Sequence, residues 1–356
     1  MAVLNEEQEM LRDMARDWAT EKSPVTEFRK VRRDGAPEAY DPVAYATMAE
    51  MGWTGVIIPE EHGGSDFGWL SLGLVVEELG KTLTASPLIA STLAASAILL
   101  GGSEEQKAKW LPGLASGEIK ATLAIDEGPR HASRSFETSV ADGRLSGTKS
   151  FVHEAHGADL FVVAASDGLY LVEAGGGVSL AARSMVDNRN HAEVTFDGAA
   201  ADRLENGGDT LLDDVLDRAR VLTACEMLGM AQQVFDSTLD YLKQRVQFNQ
   251  VLATFQALQH RMADLFGDLA MMRSAVEGGL QALDSGFGVA RAATIAKAEA
   301  NRVLHTMSRE GVQLHGGIGM TDEYDIGFYL KRARILEASW GGTAMLKDRF
   351  ATIGGY

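Results

Sequence analysis

The sequence predicts an α+β chain in three consecutive parts: an N-terminal helical domain over 1–120, a small β domain over 121–205 and a C-terminal helical bundle over 206–356. Three observations predict it. Apolar residues recur at helical spacing through the first third, β-prone runs broken by Gly, Asp and Asn fill 122–196, and helical periodicity returns beyond Asp209. A chain of 356 residues exceeds what one hydrophobic core usually supports, so two or three structural units are expected.

The first helix begins at Asn5, which has capping-box spacing to Gln8 and is followed by Glu6 and Glu7, where the helix dipole favours negative charge. Leu11, Met14 and Trp18 continue its apolar face. Similar spacing over Tyr45–Met51, Leu70–Leu79 and, after a second box at Ser103/Gln106, Lys107–Leu111 predicts further helices. Strands are expected at Leu160–Ala164, Leu169–Glu173 and Ala192–Phe196, with Gly175, Gly176 and Gly177 turning between β segments. In the last part, Leu258, Met262, Leu265, Phe266, Leu269 and Met272 mark one face of a long helix.

Composition narrows the function classes. Thirty-three basic against fifty acidic side chains give a net charge of −17, a mean field that repels nucleic acid and anionic membrane surfaces. An anionic small ligand then needs a local cluster of Arg, Lys and helix N-termini. The single cysteine, Cys225, lies in an apolar helical pattern and reads as a packing thiol, so no intrachain disulfide is possible. The most apolar run, Leu88 to Leu100, is shorter than the ~20 residues of a membrane span. No metal site and a cytoplasmic location are expected.

Three stretches carry a more specific signal: MGWTGVIIPEEHGG with VVEELGK, then RVQFNQVLATFQALQHRMADL, then VQLHGGIGMTDEYDIGFYLKRA. In this order and spacing they resemble the acyl-CoA dehydrogenase family, and the resemblance covers nearly the whole chain. It implies the helix, sheet, helix fold and FAD at a dimer interface, its pyrophosphate held partly by the neighbouring subunit. The acceptor of its electrons is then an electron-transfer flavoprotein or similar protein, and the assembly a homodimer, homotetramer or heterotetramer with a related subunit. The sequence fits a shared site, because it has no G-x-G-x-x-G turn between strand and helix to serve as an in-chain dinucleotide cradle.

Carried over position by position, the resemblance makes Arg245, Gln247, Phe248, Gln256, Gln313, Gly316 and Gly317 cofactor contacts. Arg245 can pair with a phosphate, Gln256 and Gln313 supply neutral donors, Phe248 an apolar face, and the two glycines allow close backbone approach to an anion. Asn249-Gln250 departs from the family's usual Gly and basic residue. In the β part, Asp126 of AIDEG stands where a Thr usually meets the flavin, and the Gly-Ser-Asp that commonly follows is missing. In GTKSFVHEA, Phe151 replaces the Trp that packs on the flavin ring and His153 the Thr at its polar edge; a satisfied strand-end histidine is the alternative for His153.

Acyl-CoA dehydrogenation needs a carboxylate within ~3 Å of the substrate's α-proton. The family's Y-E-G-T motif reads here Trp340-Gly341-Gly342-Thr343, which keeps Thr343 as a cofactor contact but puts Gly341 at the position of the Glu. The alternative helix position, in LDRARVLTACEMLGMAQ, holds Ala219. Asp217, Glu226 and Asp126 are the nearest acidic candidates, although a carboxylate chosen by proximity in sequence is more often a solvated helix-face charge. Gly341 still offers a backbone N–H to a thioester oxygen and leaves space for a large acyl group.

Two readings follow from the resemblance. One is an active acyl-CoA dehydrogenase with a relocated base, acting on a branched, cyclic or bulky acyl-CoA. The other is a non-catalytic or half-site subunit completing the FAD pocket of a related partner, as in the heteromeric steroid side-chain dehydrogenases that share the HGGIG-type motif. A scaffold without flavin is a third.

Overall fold

The computed structural model describes residues 3–132 and 134–356, and the architecture is α+β. Six helices come first: α1 (Glu6–Lys22), α2 (Val25–Asp34), α3 (Pro42–Glu50), α4 (Gly68–Lys81), α5 (Leu88–Gly101) and α6 (Glu104–Ala115). Their starts are written locally. Both expected capping boxes form, Asn5 with Gln8 and Ser103 with Gln106, each satisfying two orphan backbone donors. Asp41 caps α3 ahead of Pro42, whose missing N–H costs nothing in a first turn. The apolar run Leu88 to Leu100 lies in α5, buried on nearly every side. Leu93 and Ile98 there are at most 2% exposed, a burial that stabilises by about 2 kcal/mol each. Among the described residues no helix is long and apolar enough to cross a membrane.

Eight strands follow: β1 (Ala121–Ala124), β2 (Ser139–Ala141), β3 (Arg144–His153), β4 (Leu160–Ala165), β5 (Gly168–Glu173), β6 (Val178–Ala182), β7 (His191–Ala200) and β8 (Asp202–Arg203). They make two four-stranded sheets, ordered β1-β4-β5-β8 and β2-β3-β7-β6; among the described residues β1 and β4 pair in parallel and the other pairs are antiparallel. Phe161 on β4 meets Phe196 on β7 edge-on at 5.9 Å, so one apolar core with Leu145, Val163 and Val194 lies between the sheets. The three-glycine run turns the chain from β5 into β6, as the sequence predicts.

The remaining elements are α7 (Leu211–Gln244), a hairpin of β9 (Val246–Gln247) and β10 (Gln250–Val251), then α8 (Gln256–Ser285), α9 (Val289–His315), α10 (Ile326–Ala338) and α11 (Thr343–Ile353). Helix α9 packs on α8, α10 and α11. Met262, Leu265, Leu269 and Met272 of α8 are buried, but Phe266 is 62% exposed. The buried stripe steps by three and four residues and leaves position 266 at its margin, where the ring only tilts against Phe235 at 6.0 Å. Cys225 is buried, and burial raises its thiol pKa well above the ordinary value.

By packing, the chain divides into two compact units. One comprises the residues up to Val25, Gly73–Thr84 and Arg220–Tyr356; the other comprises Thr26–Leu72 and Ala85–Ala219.

Candidate functional site

Four of the sequence-selected residues cluster where α7 gives way to α8. The hairpin pairs Gln247 with Gln250 and Val246 with Val251, so Phe248 and Asn249 alone make the turn. Both are left-handed, at φ +53° and +63°, the geometry of a type I′ turn. Asn tolerates it; an aromatic residue rarely does. Phe248 is nonetheless 84% exposed, its ring set edge-to-face with that of Phe255 at 6.2 Å. Arg245 and Gln247 lie exposed on the hairpin and Gln256 exposed at the start of α8.

Gln313, Gly316 and Gly317 sit at the end of α9. They line a groove of about 280 Å³ together with Arg309 and Met320. Gly316 has φ +65°, which only glycine adopts cheaply with its ψ of −142°. Apart from the adjoining backbone and the two neighbouring residues, nothing lies within 4 Å of where a Cβ would stand on Gly316 or Gly317. His315 ties this turn to the hairpin's side of the molecule. Its ring stacks on Tyr241 at 4.4 Å, one helical turn before Arg245, and tilts against Tyr324 at 4.7 Å. Burial lowers the imidazole pKa although Nδ1 hydrogen-bonds the Gly311 carbonyl at 2.7 Å. A neutral His315 therefore packs as an aromatic spacer between the two segments.

The side chains of Arg245, Gln247, Gln256 and Gln313 make no hydrogen bond or ion pair among the described residues. A guanidinium, three primary amides, an exposed phenyl ring and an open glycine turn form a donor set suited to a phosphate and its attached heterocycle. In chemistry these residues fit the pyrophosphate and adenosine of a dinucleotide.

A second group lies in the β-rich unit. Asp126 follows β1; its Oδ1 accepts from the Ala132 N–H at 3.1 Å and meets His131 Nδ1 at 2.9 Å. Its carbonyl accepts from Ser150 N–H at 2.6 Å, which places it beside Phe151. Phe151 occupies a bulge where the β3–β7 register shifts, at φ +54° and 37% exposed. Bulges re-aim side chains, and an aromatic ring held left-handed and solvent-facing at one is strained in a way that core packing does not require. His153 lies opposite His191, ring centroids 4.4 Å apart, and its carbonyl accepts from Thr122 Oγ1 at 2.5 Å. Phe151 and His153 thus lie at the end of β3, and Asp126, just after β1 of the other sheet, is joined to that strand by the Ser150 hydrogen bond.

The neighbouring loop is braced by a pair that sequence reading missed. Lys149, fully buried, donates to Ile125 O at 3.0 Å and to Glu127 at 2.7 Å. Glu127 also accepts from the N–H groups of Glu137 and Thr138, at 2.6 and 2.9 Å. Burial opposes its ionisation, yet these hydrogen bonds outweigh that and hold its pKa at about 2.

The Trp340–Thr343 segment links α10 to α11. Trp340 has φ +59° and Gly341 +117°. A Cβ on Gly341 would meet Met345 Sδ at 3.2 Å and Leu346 Cδ2 at 3.4 Å, so a side chain there heads into α11. Arg220 Nε donates to the Trp340 carbonyl at 3.0 Å and pins the turn. Thr343 opens α11 and lines a different groove, with Met271, Ile295 and Phe350. The structure does not bring it together with Gln313 and Gly316 in one cavity.

The acidic candidates are engaged or enclosed. Glu226 receives both arms of Arg332, at 2.8 and 3.1 Å, with the two side chains 9% and 11% exposed. Asp217 is buried at 2% exposure and Ala219 at 0%.

The acyl-CoA dehydrogenase N-terminal domain family matches residues 5–118 and its C-terminal domain family residues 206–352. The acyl-CoA dehydrogenase IpdE2 of Mycolicibacterium smegmatis is 32% identical over 343 residues, with 93% of each chain covered. This chain belongs to the acyl-CoA dehydrogenase family. Acryloyl-CoA reductase (NADH) of Anaerotignum propionicum is 30% identical, covering 97% of this chain and 93% of that protein. Among solved structures, the Tcur3481-Tcur3483 steroid ACAD superposes with a TM-score of 0.91 at 30% identity, covering 98% of both chains. Acyl-CoA dehydrogenases are FAD-dependent oxidoreductases that act on CH–CH bonds. At Gly341 the backbone has taken a form that suits glycine.

Proposed function

We propose that this chain is a subunit of an FAD-dependent acyl-CoA dehydrogenase for a bulky, branched or cyclic acyl group, and that it supplies half of the FAD site and a thioester-binding turn while a related partner chain supplies the catalytic carboxylate. The observation that carries the reading is the Trp340–Gly341 backbone. A φ of +117° at Gly341 disfavours any L side chain, and the direction of a Cβ there, toward Met345 and Leu346, leaves no simple place for a base. The engagement of Glu226 by Arg332 removes one relocated candidate. Likeness to a steroid ACAD named for two chains supports both the bulky substrate and the partner. An active chain with its own base, the other reading, requires Asp217 or Asp126 to be freed from its present surroundings.

In this reading Arg245, Gln256, Gln313, Gly316 and Gly317 hold the pyrophosphate and Phe248 and Gln247 the adenosine side, with each chain offering its set across the interface. Asp126, Phe151 and His153 are assigned as contacts of the flavin ring, and Thr343 separately as a cofactor contact. Bound there, FAD supplies the hydride acceptor for α,β-dehydrogenation and passes electrons to an electron-transfer flavoprotein or similar acceptor. The chain's own contribution to the chemistry is the Gly341 N–H, a preorganised donor for the thioester oxygen. The test is to purify the chain alone and with a related homologue, then record flavin absorption and its bleaching by acyl-CoA thioesters without oxygen. Full bleaching by the chain alone overturns the proposed division of labour.

A further inference from the structure

Lys297 is a fully buried lysine with no carboxylate within bonding distance among the described residues. On α9, it donates to Asn301 Oδ1 at 2.6 Å and to the Leu336 carbonyl at 2.9 Å. Burial pushes its pKa down to about 7, the positive Arg220 adding to the effect and Glu337 opposing it. A methionine of similar volume would fill the space without that desolvation cost. Packing alone therefore gives no reason for an ammonium group here.

The acceptors supply the reason. The last carbonyl groups of α10 have no intrahelical partner, and α10 carries no basic residue in its last turn. Other helices fill that role. Lys297 takes Leu336 O, Asn301 Nδ2 lies 3.3 Å from Glu337 O and 3.5 Å from Gly341 O, and Arg220 takes Trp340 O at 3.0 Å. Arg220, and Lys297 in its protonated form, also meet the negative end of the α10 dipole. Together these side chains hold the carbonyls of Leu336, Glu337, Trp340 and Gly341 on both sides of the turn, Arg220 through Trp340 O orienting the peptide that carries the Gly341 N–H.

We propose that Lys297 and Asn301 are positioning residues for thioester binding: through Leu336, Glu337 and Gly341 they hold the Trp340–Gly341 turn so that the Gly341 N–H stays aimed at a thioester oxygen. This rests on the reading of Gly341 as the thioester donor. The pair acts through the backbone and touches no substrate.

The test uses the chain in the assembly in which it carries flavin, with a 3-arylacryloyl-CoA as probe. The absorption of such a conjugated thioester moves to the red when its carbonyl oxygen receives hydrogen bonds. Wild type is expected to shift the probe. Lys297→Met is expected to fold, keep its flavin, bind the probe about tenfold more weakly, as loss of one aimed hydrogen bond implies, and lose most of the shift. Asn301→Asp serves as the second variant. It gives Lys297 a buried counter-charge and so retains the fold, yet removes the donor facing Glu337 and Gly341, and should also lose the shift. If wild type binds the probe without a shift, the reading of Gly341 fails. If wild type shifts it and Asn301→Asp, or a folded Lys297→Met, shifts it equally, the positioning role is overturned.

Discussion

Placing a carboxylate at position 341 is the most direct challenge to the idea that this turn has been rebuilt around glycine. Gly341→Glu must hold a non-glycine residue at φ +117° with its Cβ 3.2 Å from Met345 Sδ. The backbone cost is about 1–3 kcal/mol, and a neutral carboxyl buried without a partner adds about 2 kcal/mol. Their sum, roughly 3–5 kcal/mol, lowers the melting temperature by roughly 10 °C in a unit of this size. Gly341→Ala isolates the backbone part. Gly342→Ala is the control, since Gly342 has φ −73° and open space at its Cβ position, and it should melt with wild type. Calorimetry and anaerobic flavin bleaching are run on all three. A Gly341→Glu protein that melts with wild type and bleaches on adding an acyl-CoA would refute the reasoning, because the turn would then accept both the side chain and its chemistry.

Other consequences follow from the same geometry. Arg245→Ala should weaken FAD retention by about 10–100-fold, the worth of one charge-assisted hydrogen bond, as measured by flavin absorbance after dialysis; full occupancy would count against the assigned contact. Arg332→Ala leaves Glu226 buried and unpaired and should cost about 3–5 kcal/mol in denaturant melts, whereas Glu226→Gln in the flavin-bearing assembly should leave dehydrogenation unchanged, a collapse of turnover being the contrary result. Glu127 has its pKa depressed from 4.5 to about 2, so its contribution to stability is complete above the unfolded value and is lost as pH falls from about 4.5 toward 2. Glu127→Gln should flatten that part of the stability curve, and an unaltered acid limb would show that the Lys149 brace contributes nothing.

Much of the fold was legible because its signals are local. Asn5 with Gln8, Ser103 with Gln106 and the glycines 175–177 each declare a start or a turn within a few residues. Phe266 misled because spacing alone does not locate the edge of an apolar stripe, and a phenylalanine at that edge reads like one inside it. At the candidate site, residue types could be carried over from the family pattern: Gln313, Gly316 and Gly317 do share a groove, and Asp126 is hydrogen-bonded to the end of the strand that carries Phe151 and His153. Thr343 lies in another groove, which spacing could not show. What the sequence hid is long-range or conformational. Arg332 finds Glu226 and Arg220 finds Trp340 across 106 and 120 residues. The left-handed backbone of Trp340 has no residue-type signature at all. Lys297 and Asn301, four apart on α9, look like an ordinary polar pair until α10 is placed beside them.

The division of labour between two chains is tested most directly by titrating a bulky acyl-CoA, under argon, into two samples matched for flavin: this protein alone, and this protein assembled with its related homologue. Stoichiometric loss of flavin colour in the mixed assembly with none in the single-chain sample is the predicted result. Equal and complete reduction in both samples would contradict it.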